Sequence, residues 1–164
     1  KGSVFLVEVS YNPADSLVQN KPQKHCYLEN KSEKVFSKKL LSDKTLLVVQ
    51  DTVDRQRLME LYLKKYGSEV VLANNGLEGM NKAIEDHYDL ILMDMQMPVM
   101  DGYTAVSELR KKGYQTPIVA LTAFAMQGDR KKSLEAGCTD YLSKPIDKDE
   151  LLKLVSRYVS AVKV

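Results

Sequence analysis

Hydrophobic and polar positions along this chain fall into two regimes that meet near Thr45. From Thr45 onward, short continuous apolar runs alternate with segments of helical spacing. The runs are TLLVV (45–49), EVVLA (69–73), DLILM (89–93), PIVAL (117–121) and the shorter TDYL (139–142). Continuous, mostly β-branched or leucine-rich runs of this length predict strands buried on both faces. Between the first two, residues 54–66 are helix-like with Leu58, Leu61, Tyr62 and Tyr66 on one stripe, and Gly67 ends the helix. Leu77, Met80 and Ile84 recur at helical spacing after Asn75-Gly76. Asp101 is a good N-cap for a helix that carries Gly102, Ala105, Val106 and Leu109 and closes at Gly113. A weaker helix over 127–136 stops at Gly137, and Leu151, Leu154, Val155, Tyr158 and Val162 make the last amphipathic helix. Strand and helix alternate five times with short connections. That predicts an α/β domain with a parallel sheet and helices on both faces, over residues 44–164.

The N-terminal regime is an extension of different character. KGSVFLVEVS (1–10) alternates like one short strand, which cannot be stable alone. Residues 11–43 are rich in Asn, Pro, Lys and Ser with little periodicity, and read as a linker with room for a short helix over 34–41.

Charge changes this picture little. Residues 20–44 hold seven Lys against Glu29, Glu33 and Asp43, whereas from Thr45 onward 16 basic residues face 17 acidic ones. The basic stretch has no aromatic interleaving beyond Tyr27 and Phe36, so it reads as a solvated linker and no nucleic-acid partner is expected. No apolar run approaches the ~20 residues of a membrane-spanning helix, and residues 4–9 are too short for a secretion signal. No membrane contact is expected, and the expected location is the cytoplasm. Cys26 and Cys138 lie in different regions without metal-ligand spacing and are expected as free thiols. His25 and His87 have no ligand-spaced partners. A monomer is the simplest expectation.

In parallel α/β sheets, ligands sit outside the carboxyl ends of the strands. The first strand is followed there by Gln50 and Asp51, the third runs into Asp94, the fourth delivers Thr122, and the fifth leads to Ser143, Lys144 and Pro145. Two carboxylates, a hydroxyl and a lysine thus converge on one rim from distant segments. Two carboxylates about 5 Å apart repel by ~3 kcal/mol at an effective dielectric near 20. A hard divalent cation removes that repulsion, and a few oxygen ligands with retained waters suit Mg²⁺. Lysine and hydroxyl beside such a site can bind phosphoryl oxygens, and an aspartate can itself become an acyl phosphate. Asp94, at the end of an apolar strand, reads best as a phosphoacceptor.

The segments LLVVQD, LILMDMQMPVMDG, ALTAFA and DYLSKPID, in this order and spacing, closely resemble the receiver domains of response regulators in two-component phosphorelay signalling. The resemblance covers residues 45 to about 161. It implies the flavodoxin-like, doubly wound five-stranded sheet of order 2-1-3-4-5. It also implies a phosphoryl group taken from the phosphohistidine of a histidine kinase or histidine phosphotransfer domain onto Asp94. Asp51 resembles the acid that binds Mg²⁺ directly, with the backbone carbonyl of Gln96 as another ligand. Thr122 resembles the hydroxyl that moves onto the phosphoryl group, Lys144 the lysine that pairs with it, and Pro145 the proline that follows, often in a cis bond. Tyr141 occupies the aromatic switch position. Phe124 and Gln96 stand where the family tunes phosphoryl lifetime. KGSVFLVEVS is similar to the last strand of histidine-kinase ATP-binding domains, which implies the receiver end of a hybrid sensor histidine kinase. The helix after Lys144 leaves no room for a DNA-binding output domain.

One position departs from the pattern. The family usually has two adjacent acids after the first strand, and here the first is Gln50. Its amide oxygen can still accept from a Mg²⁺-bound water, but one charge is lost, and weaker Mg²⁺ binding follows. Asp54 could replace part of that charge, although a carboxylate interacting with the helix dipole is the simpler role. Gln50 also supports an alternative, a receiver-like docking module that is never phosphorylated; Asp51, Asp94, Thr122 and Lys144 oppose it. An aspartyl-phosphate hydrolase would need a second acid two residues after its nucleophile, where Gln96 stands. The methionines at 93, 95, 97 and 100 read as packing and not as a Cu(I) site. Gly76 and Gly79 lack the pattern of a dinucleotide loop, and no Gly-x-Ser-x-Gly elbow exists for a hydrolase triad.

Overall fold

The computed structural model describes residues 39–123 and 127–161. The expectations for the strand at 1–10, most of the linker, Cys26, His25, Phe124 and Val162 fall outside those residues. The described chain runs β1 (Thr45–Val49), α1 (Val53–Lys64), β2 (Glu69–Ala73), α2 (Gly76–Glu85), β3 (Leu90–Asp94), α3 (Gly102–Lys111), β4 (Ile118–Thr122), α4 (Gln127–Glu135), β5 (Asp140–Ser143) and α5 (Lys148–Ala161). All neighbouring strands pair in parallel, in the order β2-β1-β3-β4-β5. This is the sheet implied in the sequence analysis.

The period-2 geometry of strands divides the apolar runs between two cores. Leu46, Val48, Leu90, Leu92, Val119 and Leu121 face one side, where they meet Met59 and Leu63 of α1 and Leu151, Leu152 and Val155 of α5. Leu47, Val49, Ile91, Met93, Ile118 and Ala120 face the other, where they meet Ala83 of α2 and Ala105, Val106 and Leu109 of α3. With both faces covered, the central strands are rigid supports for whatever follows them.

Three strands sit one residue later than the sequence pattern suggested. Pro117 has no N–H for a ladder and contributes only its carbonyl, which accepts from the Ile91 N–H at 3.0 Å. Asp94 and Thr122 are themselves the last residues of β3 and β4. Two helices present a different face from the one expected. On α1, Leu58 and Leu61 are exposed (65% for Leu61), while Gln56, Met59 and Leu63 are buried and Tyr62 packs against the core; Tyr66, just past the helix end, is buried in it as the pattern suggested. On α2, Leu77 and Ile84 are exposed and Gly76, Gly79 and Ala83 are buried. The reason on α2 is close approach. A Cβ on Gly79 would lie 2.7 Å from the Val49 methyls, so the helix packs through its small residues.

Residues at the end of the expected linker belong to the folded unit. Leu41 is fully buried, its N–H donates to the Tyr66 carbonyl at 2.9 Å, and Leu40 packs beside it. Residues 39–43 form turns. Helix starts follow side-chain chemistry. Asp101 accepts from the Thr104 N–H at 2.7 Å and Asn75 accepts from the Glu78 N–H at 2.9 Å.

Candidate functional site

The strand registers bring the sequence-marked residues to one end of the sheet. Val49 pairs with Met93, so Gln50 and Asp94 follow side by side; Asp94 pairs with Leu121, and Thr122 with Ser143. Neighbouring strands are about 4.8 Å apart, so Gln50, Asp94, Thr122 and Lys144 share one rim.

Asp94 is only 1% exposed. A carboxylate there needs compensation, and both of its oxygens have a partner. Lys144 Nζ donates to Oδ2 in an ion pair, and the Gln96 N–H donates to Oδ1 at 3.0 Å. The lysine itself retains some exposure, so the pair opens toward solvent on one side. The Lys144-Pro145 bond is cis, and the Lys144 N–H donates to the Thr122 carbonyl at 2.7 Å, which ties the β4 and β5 ends together. Thr122 is buried beside them.

The backbone around Asp94 is held by α3. The Gly102 N–H donates to the Met95 carbonyl at 3.2 Å, and a Cβ on Gly102 would lie 2.2 Å from the Asp94 carbonyl oxygen. Only glycine lets the helix start this close to the strand end. The connecting loop turns sharply at Val99, whose φ is 71° and whose side chain is exposed. The Met100 N–H there donates to the Pro98 carbonyl at 2.8 Å.

Across the rim, Gln50 is fully buried and Asp51 is exposed. Gln50 Nε2 donates to Asp51 Oδ1 at 3.4 Å, and Thr52 Oγ1 donates to the same oxygen at 3.0 Å. The amide oxygen of Gln50 is buried and has no hydrogen-bond partner among the described residues. Asp54 lies exposed in the first turn of α1. Among the described residues, no three acids, histidines or cysteines form a metal cluster. The donors at hand are oxygens only: Asp51, Asp94, a backbone carbonyl and the unpartnered Gln50 oxygen. That set fits a hard ion that keeps several waters, such as Mg²⁺, and not a closed zinc site.

Tyr141 lies half-buried on β5, paired with Ala120, and the Arg130 guanidinium carbon of α4 stands 5.4 Å from its ring centroid. Lys132 Nζ of the same helix stands 4.1 Å from the Tyr103 ring of α3. Burial pushes the Tyr103 hydroxyl above its ordinary range. Two residues of this neighbourhood escaped the sequence reading: Arg130, and the buried Gln56 beneath Asp51. The only signal for Gln56 is its spacing from Met59 and Leu63, which puts a polar residue on the buried face of α1.

Residues 46–156 match the family model of the response regulator receiver domain. This chain belongs to that family. Receivers of this family are the phosphorelay domains of two-component signalling. Among relatives, the chain is 47% identical over 131 residues to hybrid signal transduction histidine kinase G of Dictyostelium discoideum, covering 76% of this chain and 4% of that protein. It is 40% identical to the receiver domain of sensor histidine kinase PA1611 from Pseudomonas aeruginosa PAO1, whose crystal structure has a magnesium ion coordinated in the active-site cleft. That match has a TM-score of 0.67 and covers 71% of this chain and 98% of the other. The Saccharomyces cerevisiae receiver domain of Ssk1, crystallised with the histidine phosphotransfer protein Ypd1, is 33% identical with a TM-score of 0.71, covering 76% of this chain and 94% of that one. The first three curated relatives are longer proteins, of which this chain spans from 4% to about half. No helix among the described residues is long and apolar enough to cross a membrane.

Proposed function

We propose that this receiver takes a phosphoryl group from a phosphohistidine onto Asp94, with Mg²⁺ bound by Asp51, Asp94 and the Gln96 carbonyl, and Gln50 contacting it through water. The observation that carries the reading is the ion pair of Lys144 with a nearly inaccessible Asp94. A lysine already seated on the acceptor carboxylate is placed to neutralise the charge that a phosphoryl group brings. An Asp94 oxygen forms the new O–P bond as the N–P bond of the partner's phosphohistidine breaks and the imidazole leaves. Asp94 is held for this attack by β3, by the Gln96 N–H and by the close start of α3. When bound, Mg²⁺ supplies charge neutralisation for the phosphoryl oxygens. Lys144 supports the phosphoryl group from the β5 side, and Thr122 donates its hydroxyl to it. Tyr141 then fills the space that Thr122 vacates, which alters the face made by α4, β5 and α5 for protein docking.

The partners are a histidine kinase or a histidine phosphotransfer domain. The similarity to hybrid kinases supports placing this segment in the cytoplasmic part of a hybrid sensor histidine kinase, with residues 1–10 as the end of its ATP-binding domain, a linker from 11 up to the turns at 39–43 that pack on the receiver, and the receiver through 164, acting as a monomer. Incubation with acetyl phosphate and Mg²⁺, followed by mass spectrometry, tests the acceptor assignment. Wild type gains the mass of one phosphoryl group and Asp94→Asn gains none. A protein that acts only as a docking module gains none in either form.

A further inference from the structure

Gln56 is the one polar side chain that α1 sends into the protein, and it is 5% exposed. A buried amide is unfavourable unless hydrogen-bonded. Its Nε2 lies 2.6 Å from the Gln50 carbonyl oxygen, 3.0 Å from Asn74 Oδ1 and 3.3 Å from the Ala73 carbonyl oxygen. An amide nitrogen has two hydrogens. The Ala73 carbonyl already accepts from the Gln50 N–H at 3.0 Å, so the two short contacts, to Gln50 and Asn74, are the principal ones.

The orientation of this amide is fixed by a chain of neighbours. Both the Asn74 N–H and its Nδ2 donate to Glu78 Oε2, at 2.9 and 2.8 Å. A carboxylate only accepts, so Asn74 must turn its Oδ1 toward Gln56, and Gln56 must present its NH₂. Lys82 Nζ, which also donates to the Leu72 carbonyl, donates to the other Glu78 oxygen at 2.8 Å. These contacts hold the Glu78 carboxyl below its ordinary range. The relay therefore runs from Lys82 and Glu78 on α2, through Asn74 after β2 and Gln56 on α1, to the carbonyl of Gln50.

That carbonyl belongs to the peptide bond joining Gln50 to Asp51. Its residue is held at both ends, by Ala73 at the N–H and by Gln56 at the carbonyl. The Gln56 N–H also donates to the Thr52 carbonyl at 3.0 Å, so one residue brackets the loop 50–52 on both sides of Asp51. Asp51 itself is exposed, and among the described residues its side chain is tethered by the local contacts from Gln50 and Thr52. The direction of its carboxylate is set by the backbone beneath it.

We propose that Gln56 is a positioning residue for Asp51, fixing the loop that presents this carboxylate to Mg²⁺ and thereby setting the affinity of the site for the ion. The inference rests on the phosphoacceptor reading above. Partners that orient a metal ligand typically contribute 10- to 100-fold to metal affinity. Gln56→Met keeps length and volume but cannot donate. Gln56→Glu would set a carboxylate against three acceptor oxygens and should be the more damaging.

Isothermal calorimetry of Mg²⁺ binding tests this, with urea unfolding to establish that each variant is folded. Gln56→Met should bind Mg²⁺ about tenfold more weakly than wild type. Its Asp94 phosphorylation rate at saturating Mg²⁺ should stay within about twofold of wild type, since affinity and not the chemical step is affected. Leu63→Val, which loosens the same helix away from the loop, should keep wild-type Mg²⁺ affinity. Equal Mg²⁺ affinity in wild type and folded Gln56→Met would overturn the inference, as would equal weakening in Leu63→Val. If Gln56→Met does not fold, Asn74→Leu removes the acceptor that orients the amide and should weaken binding about threefold or more; wild-type affinity there would overturn the inference too. A wild-type protein that binds no Mg²⁺ at all would instead overturn the phosphoacceptor reading on which the inference stands.

Discussion

The Arg130 guanidinium of α4 lies against the ring of Tyr141 on β5, 5.4 Å from its centroid. Helix α4 has a polar sequence, QGDRKKSLE, and Leu134 is exposed, so apolar burial contributes little to seating it. Lys132 over Tyr103 and Arg130 over Tyr141 join it to its neighbours by cation–aromatic contacts instead. Such a contact at an exposed site is worth about 0.5–1 kcal/mol, small enough for phosphorylation to outweigh.

The first prediction follows from that weakness. In Arg130→Gln, the Tyr141 ring should shift toward its phosphorylated-state position by a population factor of about two to five. The NMR shifts of the Tyr141 ring, with and without the phosphoryl mimic beryllofluoride, report this. Unbound Arg130→Gln should lie part-way between the two wild-type spectra. A spectrum identical to unbound wild type would show that Arg130 does not hold the ring.

The second concerns Gly102. An added Cβ meets the Asp94 carbonyl oxygen at 2.2 Å and the Met95 Cα at 2.9 Å. Both are backbone atoms at the end of a buried strand and cannot swing away. Gly102→Ala should lose about 2–4 kcal/mol of stability, as forced overpacking does, and should slow Asp94 phosphorylation because the strand end must move. Urea unfolding measures the first effect. A loss below about 0.5 kcal/mol, the range of ordinary surface substitutions, would contradict it.

The third concerns Cys138, which is buried in the connection between α4 and β5 and belongs to the core that holds Ala105, Val106 and Leu109. Burial pushes its thiol from an ordinary 9.0 up to about 12, with the Arg110 charge opposing only part of that rise. The folded state thus favours the neutral thiol. Its contribution to stability is complete below pH 9 and is lost as pH climbs from there toward 12. Iodoacetamide at pH 8 should modify Cys138 only after unfolding in urea. Fast modification of the native protein would contradict this.

A fourth prediction addresses the departure at Gln50. Restoring a carboxylate with Gln50→Asp should tighten Mg²⁺ binding about threefold to tenfold. It should also lower stability without metal, because the position is fully buried beside Asp51. Asp51→Ala should abolish Mg²⁺-dependent phosphorylation. Calorimetry that finds the same Mg²⁺ affinity for wild type and Gln50→Asp would contradict the first of these.

The sequence carried the sheet because strands buried on both faces leave an unbroken apolar run, and each of the five runs became a strand within one residue. The rim residues were legible for the same reason, since parallel topology forces the residues after each run to one end. Helix faces were harder. On α1 the leucines at 58 and 61 form as good a stripe as Met59 and Leu63, and the choice between them depends on Gln56 finding acceptors at the ends of β1 and β2. On α2 the deciding quantity is the distance of Gly79 from Val49, which hydrophobicity does not encode. Gln56 shares the spacing of Met59 and Leu63, but a polar residue at that spacing does not announce burial until its acceptors are in place, and Arg130 meets Tyr141 only through the packing of α4 on β5. Leu41 looked like linker because a single buried leucine among turns has no periodicity to reveal it.

The central claim is tested most directly by following a labelled phosphoryl group from a phosphohistidine carrier domain to this protein. In Mg²⁺, label should move to wild type as a hydroxylamine-sensitive acyl phosphate, should fall away with EDTA, and should be absent in Asp94→Asn. Transfer that persists unchanged in Asp94→Asn, or no transfer to folded wild type from any phosphohistidine or acetyl phosphate donor, would contradict the account.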